Sequence, residues 1–238
     1  MDVCKLDHRQ RPGSPLAMRS RQRAQVQMDR TPAARKAWWL VGILLAGLCL
    51  APPASACRLA VLGDSLTAGY GVAATDAFPV RLDAALRARG VDCAVQDAGV
   101  SGDTSAGGLA RLDWVLADQP THLLVELGGN DALRALPIEE LKQNINQIIE
   151  TAQARGVQVV LTGMLAPPNL GRGYTEAFKQ VYADLARTHN IPLYPFFLDG
   201  AVLQDGLMQP DGIHPNARGV EVIVERITPL LISALQDK

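Results

Sequence analysis

Leu59-Ala60-Val61-Leu62 is an unbroken apolar run closed by Gly63, and it sets the reading of the rest of the chain. A short apolar run that ends in a glycine reads as a strand buried on both faces. Similar runs recur, giving predicted strands at 58–63, 93–98, 121–128, 157–164 and 191–196. Between them, apolar positions repeat every three or four residues, the helical period. Helices are expected near 76–89, 105–117, 138–155, 174–189 and 216–235. In the first, Val80, Leu82, Ala85 and Leu86 are placed on one face, and Gly90 stops the helix. Pro137 opens the third, Ile145, Ile148 and Ile149 carry its apolar face, and Gly156 ends it. Strictly alternating strands and helices imply one α/β domain, a parallel five-stranded sheet covered on both faces as a three-layer α/β/α sandwich. The Pro/Gly-rich stretch Ala166–Gly173 reads as a long loop inside that domain, which runs over 57–238.

The first 56 residues follow another pattern. Arg30, Arg35 and Lys36 precede an almost wholly apolar stretch from Trp38 to Ala51, and Ala54-Ser55-Ala56 supplies small residues after it. Charged, apolar and small, in that order, is the layout of a secretory signal peptide, here 28–56. The apolar run is short for a membrane span, which needs roughly 20 residues. Residues 1–27 are polar with no apolar period and read as a prefix outside the fold, disordered or preceding the true start at Met28. The charge divides at the same place. Residues 1–56 carry nine basic and three acidic side chains, and the remainder carries fourteen basic and twenty-one acidic. An acidic folded part offers no basic stripe for a phosphate backbone, so nucleic acid is not an expected partner.

Export implies an oxidising compartment. The mature chain would keep Cys57 and Cys93, near the starts of the first two predicted strands. If those strands are parallel neighbours, the two thiols are close enough to bridge, and a disulfide is the leading expectation. Lipidation of Cys57 is the competing one, since Ala54-Ser55-Ala56-Cys57 loosely resembles a lipobox. The expected location is the periplasm, with further secretion or lipid anchoring as alternatives.

Four stretches carry candidate chemistry, each just beyond a predicted strand or just before a helix. Ser65 follows the first strand, where open α/β sheets place their ligands. Gly102, in Gly99-Val100-Ser101-Gly102-Asp103-Thr104, can offer a backbone N–H to a developing oxyanion. Asn130 occupies the corresponding place after the third strand, and its amide can be another donor. Asp211 and His214, three residues apart, suit a carboxylate that orients an imidazole. Taken singly, each has a plain structural reading: Asp64 and Ser65 capping a turn, Asp103 or Thr104 capping a helix, Asn130 as a left-handed turn residue, His214 filling a bend before Pro215. Their convergence on one edge of the sheet favours a site.

In order, Gly63-Asp64-Ser65-Leu66, Gly102, Gly129-Asn130-Asp131 and Asp211-Gly212-Ile213-His214 resemble the four blocks of the SGNH (GDSL) hydrolase superfamily. Ser101–Ser105, Gly108–Leu112, Val125–Asp131 and Pro195-Phe196-Phe197 are similar to its bacterial periplasmic thioesterase, lysophospholipase and arylesterase branch, over about residues 58–232. The resemblance implies Ser65 as nucleophile, His214 as base and Asp211 as its orienter. It implies an oxyanion hole from the N–H groups of Ser65 and Gly102 and the side chain of Asn130. It also implies a flavodoxin-like fold with strand order 2-1-3-4-5, and neither metal nor cofactor. Asp131, Leu133, Leu136, Leu165 and Pro167 are expected to contact substrate, the apolar ones with Pro168 favouring an acyl group. Two stretches depart from the pattern: Ala132 stands where close relatives often have glycine, and the loop Asn169–Tyr174 differs in its tyrosine and arginine.

Other readings fit less well. Gly69-Tyr70-Gly71-Val72-Ala73-Ala74 matches a nucleotide-binding fingerprint, but it lies six residues past the strand that should precede it. The chain has neither a P-loop nor a G-x-S-x-G elbow. His122 and His189 lack metal-ligand spacing and read as structural. The expected activity is hydrolysis of medium- to long-chain acyl esters or thioesters by a monomer, with peripheral contact to lipid. A carbohydrate O-deacetylase and a non-catalytic lipid-binding module are the rivals.

Overall fold

The computed structural model describes residues 56–236. The expected signal segment and polar prefix lie outside the described residues, Ala56 excepted. Five parallel strands form one sheet in the order β2-β1-β3-β4-β5: β1 Cys57–Gly63, β2 Cys93–Gly99, β3 His122–Glu126, β4 Gln158–Thr162 and β5 Leu193–Tyr194. Apolar continuity locates the centre. Leu59–Leu62 of β1 and Leu123–Val125 of β3 are wholly buried, whereas edge strand β2 buries only Cys93 and Ala98.

The helices divide between two faces, as right-handed crossovers require. On one, α2 (Phe78–Ala88) packs against α8 (Ala217–Gln236). On the other, α6 (Ile138–Ala154) packs between α3 (Ser105–Ala110) and α7 (Arg172–His189). Short helices α1 (Ser65–Ala68), α4 (Leu112–Ala117) and α5 (Gly129–Leu133) complete the chain order. This is the expected three-layer sandwich.

Several boundaries differ from the expectations, for local reasons. β5 pairs over two residues rather than 191–196, because Pro192 and Pro195 flank it and neither has an N–H for the ladder. The helix expected over 105–117 is broken into α3 and α4 at Arg111, whose guanidinium reaches back to Asp103 Oδ2 at 2.6 Å and the Gly63 carbonyl at 2.8 Å. In α2, Val80 is exposed and does not share the face of Leu82 and Leu86. The buried positions are Phe78, Pro79, Leu82 and Leu86, three or four apart along one face, and Val80 lies two residues from both Phe78 and Leu82.

The register of β1 and β2 pairs Cys57 with Cys93, and the two form a disulfide. The lipidation alternative requires a free thiol at Cys57 and does not hold for this bonded form.

Candidate active site

β1 ends at Gly63, and the chain turns at once into α1. Asp64 caps that helix, its Oδ1 accepting from the Leu66 N–H at 2.9 Å. Ser65 is therefore the first helical residue, a position whose N–H has no helical acceptor. The short turn leaves little room: a Cβ at Gly63 would lie 2.0 Å from Thr67 Oγ1 and 2.6 Å from Glu126 Oε2.

Ser65 Oγ lies 2.9 Å from His214 Nε2, across 149 residues of sequence. His214 Nδ1 lies 2.7 Å from Asp211 Oδ2. The same carboxylate accepts, through Oδ1, from the backbone N–H groups of Ile213 at 2.9 Å and His214 at 3.0 Å. Asp211 thus folds the loop that carries His214 as well as orienting its ring. It does so from a turn rather than a helical face. Those three donors, the His214 N–H first, hold the Asp211 carboxyl down at a pKa of about 2. It stays ionised over any working pH, fixing the tautomer that leaves Nε2 free to accept from Ser65. Gln209 locks this loop to the turn that carries Ser65: its side-chain N–H groups donate to the carbonyls of Tyr70 at 2.7 Å and Pro215 at 2.9 Å. The Tyr70 ring lies against the imidazole, with centroids 4.6 Å apart.

Gly102 follows β2 with a φ of +87°, a left-handed conformation that glycine adopts without strain. Among the described residues, no acceptor takes the N–H of Ser65 or of Gly102. Asn130 follows β3 and faces the same cavity, but its Nδ2 donates to Asp64 Oδ2 at 3.0 Å and to the Asp103 carbonyl at 2.9 Å. Both amide hydrogens are committed, so donation to an oxyanion requires one of these bonds to be shared or released.

The cavity at this edge has a volume of about 670 Å³, within the range of small-molecule sites, and is mostly apolar. Leu133, Leu165, Pro167 and Pro168 line it. Asp131 and Leu136 do not. Asp131 is buried, its carboxylate accepting from the Ser105 N–H at 2.8 Å and the Ser105 hydroxyl at 2.6 Å, which ties α5 to α3. Leu136 uses its backbone, accepting from the Tyr174 hydroxyl at 2.9 Å.

The residues 61–222 match the model of the GDSL-like Lipase/Acylhydrolase family. The chain belongs to this family. Among its relatives, Esterase TesA of Pseudomonas aeruginosa is 42% identical over 188 residues, which is 79% of this chain and 94% of the relative. Thioesterase 1/protease 1/lysophospholipase L1 of Escherichia coli K12 is 41% identical over 179 residues, 75% of this chain and 85% of the relative. A crystal structure of TesA superposes with a TM-score of 0.71 at 41% identity, covering 74% of this chain and 99% of that one.

The pocket of this GDSL-like family member has a second wall that sequence reasoning missed. Phe196, Leu198, Val202 and Leu203 come from the loop after β5. Leu203 is 94% exposed at the mouth, with a φ of +61° that is unusual for leucine. The available signal was an apolar cluster without strand or helix period, Phe196-Phe197-Leu198 and then Ala201-Val202-Leu203.

Proposed function

We propose that the chain hydrolyses esters and thioesters of medium- to long-chain fatty acids through an acyl-enzyme on Ser65. The observation that carries this reading is the Ser65–His214–Asp211 chain of contacts opening into a cavity of apolar walls. The Ser65 hydroxyl attacks the acyl carbonyl while His214 Nε2 takes its proton, and Asp211 stabilises the imidazolium. The N–H groups of Ser65 and Gly102 stand ready for the tetrahedral oxyanion. Collapse expels the alcohol or thiol, which receives the proton from His214. A water then gives a proton to the same nitrogen and attacks the acyl carbon, releasing the fatty acid and restoring the serine. The relatives' names, esterase and thioesterase/lysophospholipase, agree with this chemistry. Leu165, Pro167 and Leu198 supply apolar surface for a chain of several carbons, which an acetyl group would leave empty.

The reading extends to the compartment. The Cys57–Cys93 disulfide suits an oxidising environment, and it supports export by the segment before it. No helix among the described residues is long and apolar enough to cross a membrane.

p-Nitrophenyl esters from acetyl to palmitoyl test the activity. Turnover should favour chains beyond acetyl, and Ser65→Ala should lower kcat by several decades in a protein that still folds. Acetate as the sole product accepted would point to a deacetylase, and absence of turnover to a binding module.

A further inference from the structure

Beneath the nucleophile lies a carboxyl group that the acyl-transfer steps do not use. Glu126 ends β3, opposite Gly63 in the β1–β3 register, and is wholly buried. Its Oε2 accepts from the Thr67 hydroxyl at 2.9 Å and from the Asp64 N–H at 3.3 Å. Thr67 is also wholly buried, so the pair forms a plug directly under the turn that presents Ser65. Gly63 has no side chain where that plug sits.

The chemistry of this pocket favours the uncharged acid. No cation touches Glu126, and its Oε1 has no hydrogen-bond partner among the described residues. An ionised carboxylate there would be a buried charge with no counter-cation and donors on one oxygen only, whereas the protonated acid leaves only a single unfulfilled hydroxyl. The ionisable neighbours, Asp64 on the α1 side and the Tyr182 phenol from α7, add no positive charge. A leucine or valine would fill such a strand end without this penalty. What only an oxygen acceptor supplies is a fixed anchor for the Asp64 N–H and the Thr67 hydroxyl, on either side of Ser65.

We propose that Glu126 is a positioning residue for acyl transfer, a neutral carboxylic acid that holds the nucleophile turn from below and so fixes where Ser65 meets His214. Asp64, whose backbone it grips, also carries the carboxylate on which Asn130 is oriented. The grip therefore reaches both the nucleophile and a candidate oxyanion donor.

This inference rests on Ser65 being the nucleophile, and the test separates the two claims. The full chain and its variants Ser65→Ala, Glu126→Gln and Glu126→Leu are assayed on the p-nitrophenyl ester the unaltered protein turns over fastest. Infrared spectroscopy reports any protonated carboxyl. Gln keeps an oxygen acceptor without charge, so Glu126→Gln should retain kcat within about threefold and lose the infrared band of a buried carboxylic acid. Glu126→Leu should lower kcat by about tenfold to a hundredfold with KM within about twofold, the pattern of a misplaced nucleophile in an intact pocket. If Glu126→Leu does not fold, Thr67→Val is added to remove the stranded hydroxyl, and the same kcat loss is expected. If that also fails to fold, Glu126→Gln and the infrared band decide. Folded Glu126→Gln losing more than tenfold in kcat overturns the proposal, as does Glu126→Leu retaining full kcat or losing kcat and KM together with stability. An inactive unaltered protein, or an active Ser65→Ala, would instead overturn the acyl-enzyme reading.

Discussion

The rim and the floor of this active site treat carboxyl groups in opposite ways. On the rim, Asp211 is 37% exposed and collects three N–H donors, which keep it ionised down to a pKa of about 2. On the floor, Glu126 is wholly buried with one oxygen unpaired, and burial pushes its pKa well above the ordinary carboxylate range. Asp64 lies between: burial raises it to about 6, against the pull of the Leu66 N–H and the Asn130 amide. All three carboxyls have donors, and charge is retained where the group stays near solvent and given up where burial outweighs them. In the proposed acyl transfer the rim needs its anion because a proton arrives on His214. The floor needs only a rigid acceptor.

One chemical change therefore has two outcomes, and this contrast is the largest effect expected. Carboxyl to carboxamide at position 211 removes the charge and puts N–H against His214 Nδ1, favouring the wrong tautomer. Asp211→Asn should lower kcat by roughly 10³–10⁴. The same replacement at position 126 should cost no more than about threefold. Steady-state kinetics of both variants on one ester checks it. Similar losses at the two positions would erase the distinction between rim and floor.

Asn130 joins the two regions. Its amide rests on Asp64 and on the Asp103 carbonyl, yet faces the cavity. If one hydrogen turns to the oxyanion in the transition state, Asn130→Ala should lower kcat by about 10²–10³ with KM nearly unchanged. A loss below tenfold would mean that the amide stays on its two present acceptors and serves the floor alone.

Much of this arrangement was legible in the sequence because it rests on short-range signals. Apolar runs ending in glycine located β1 and β3, and with the intervening helical periods they gave the sheet its class. Ser65, Gly102, Asn130 and His214 could be picked out because each stands just past a strand or just before a helix, and the spacing of Asp211 to His214 lies within one loop. The remainder depended on contacts far apart in sequence. Asp131 had the position of a substrate contact, but Ser105, 26 residues away, claims its carboxylate. The wall from Phe196 to Leu203 has no period to read, and Pro192 and Pro195 shorten the strand before it. Glu126 did leave a trace, as an acidic residue closing an apolar strand. Its meaning emerges only when β1 pairs with β3 and sets it opposite Gly63.

The smallest effect concerns stability and centres on Asp64. Its folded pKa of about 6 lies above the ordinary carboxyl value of 3.8, so the folded chain binds this proton more tightly than the unfolded one. The stability it contributes is fully present below pH 3.8 and is lost as pH rises through about 6, amounting to about 3 kcal/mol at most. His122 works the other way. Burial lowers its pKa, and its contribution is lost as pH falls. Glu126, raised by burial and further by the Asp64 charge, slopes the same way as Asp64, so the difference between the unaltered protein and Asp64→Asn cancels His122 and reports the Asp64–Glu126 pair. Asparagine can still cap α1 at Leu66, although its amide opposes that of Asn130, so a constant offset is expected. Urea midpoints measured from pH 4 to pH 8 should show the unaltered protein losing stability relative to Asp64→Asn as pH rises towards 6, with a plateau above. Parallel curves would mean that Asp64 is already ionised throughout, with Asn130 and Leu66 compensating its burial in full, and the floor would then resemble the rim at this residue.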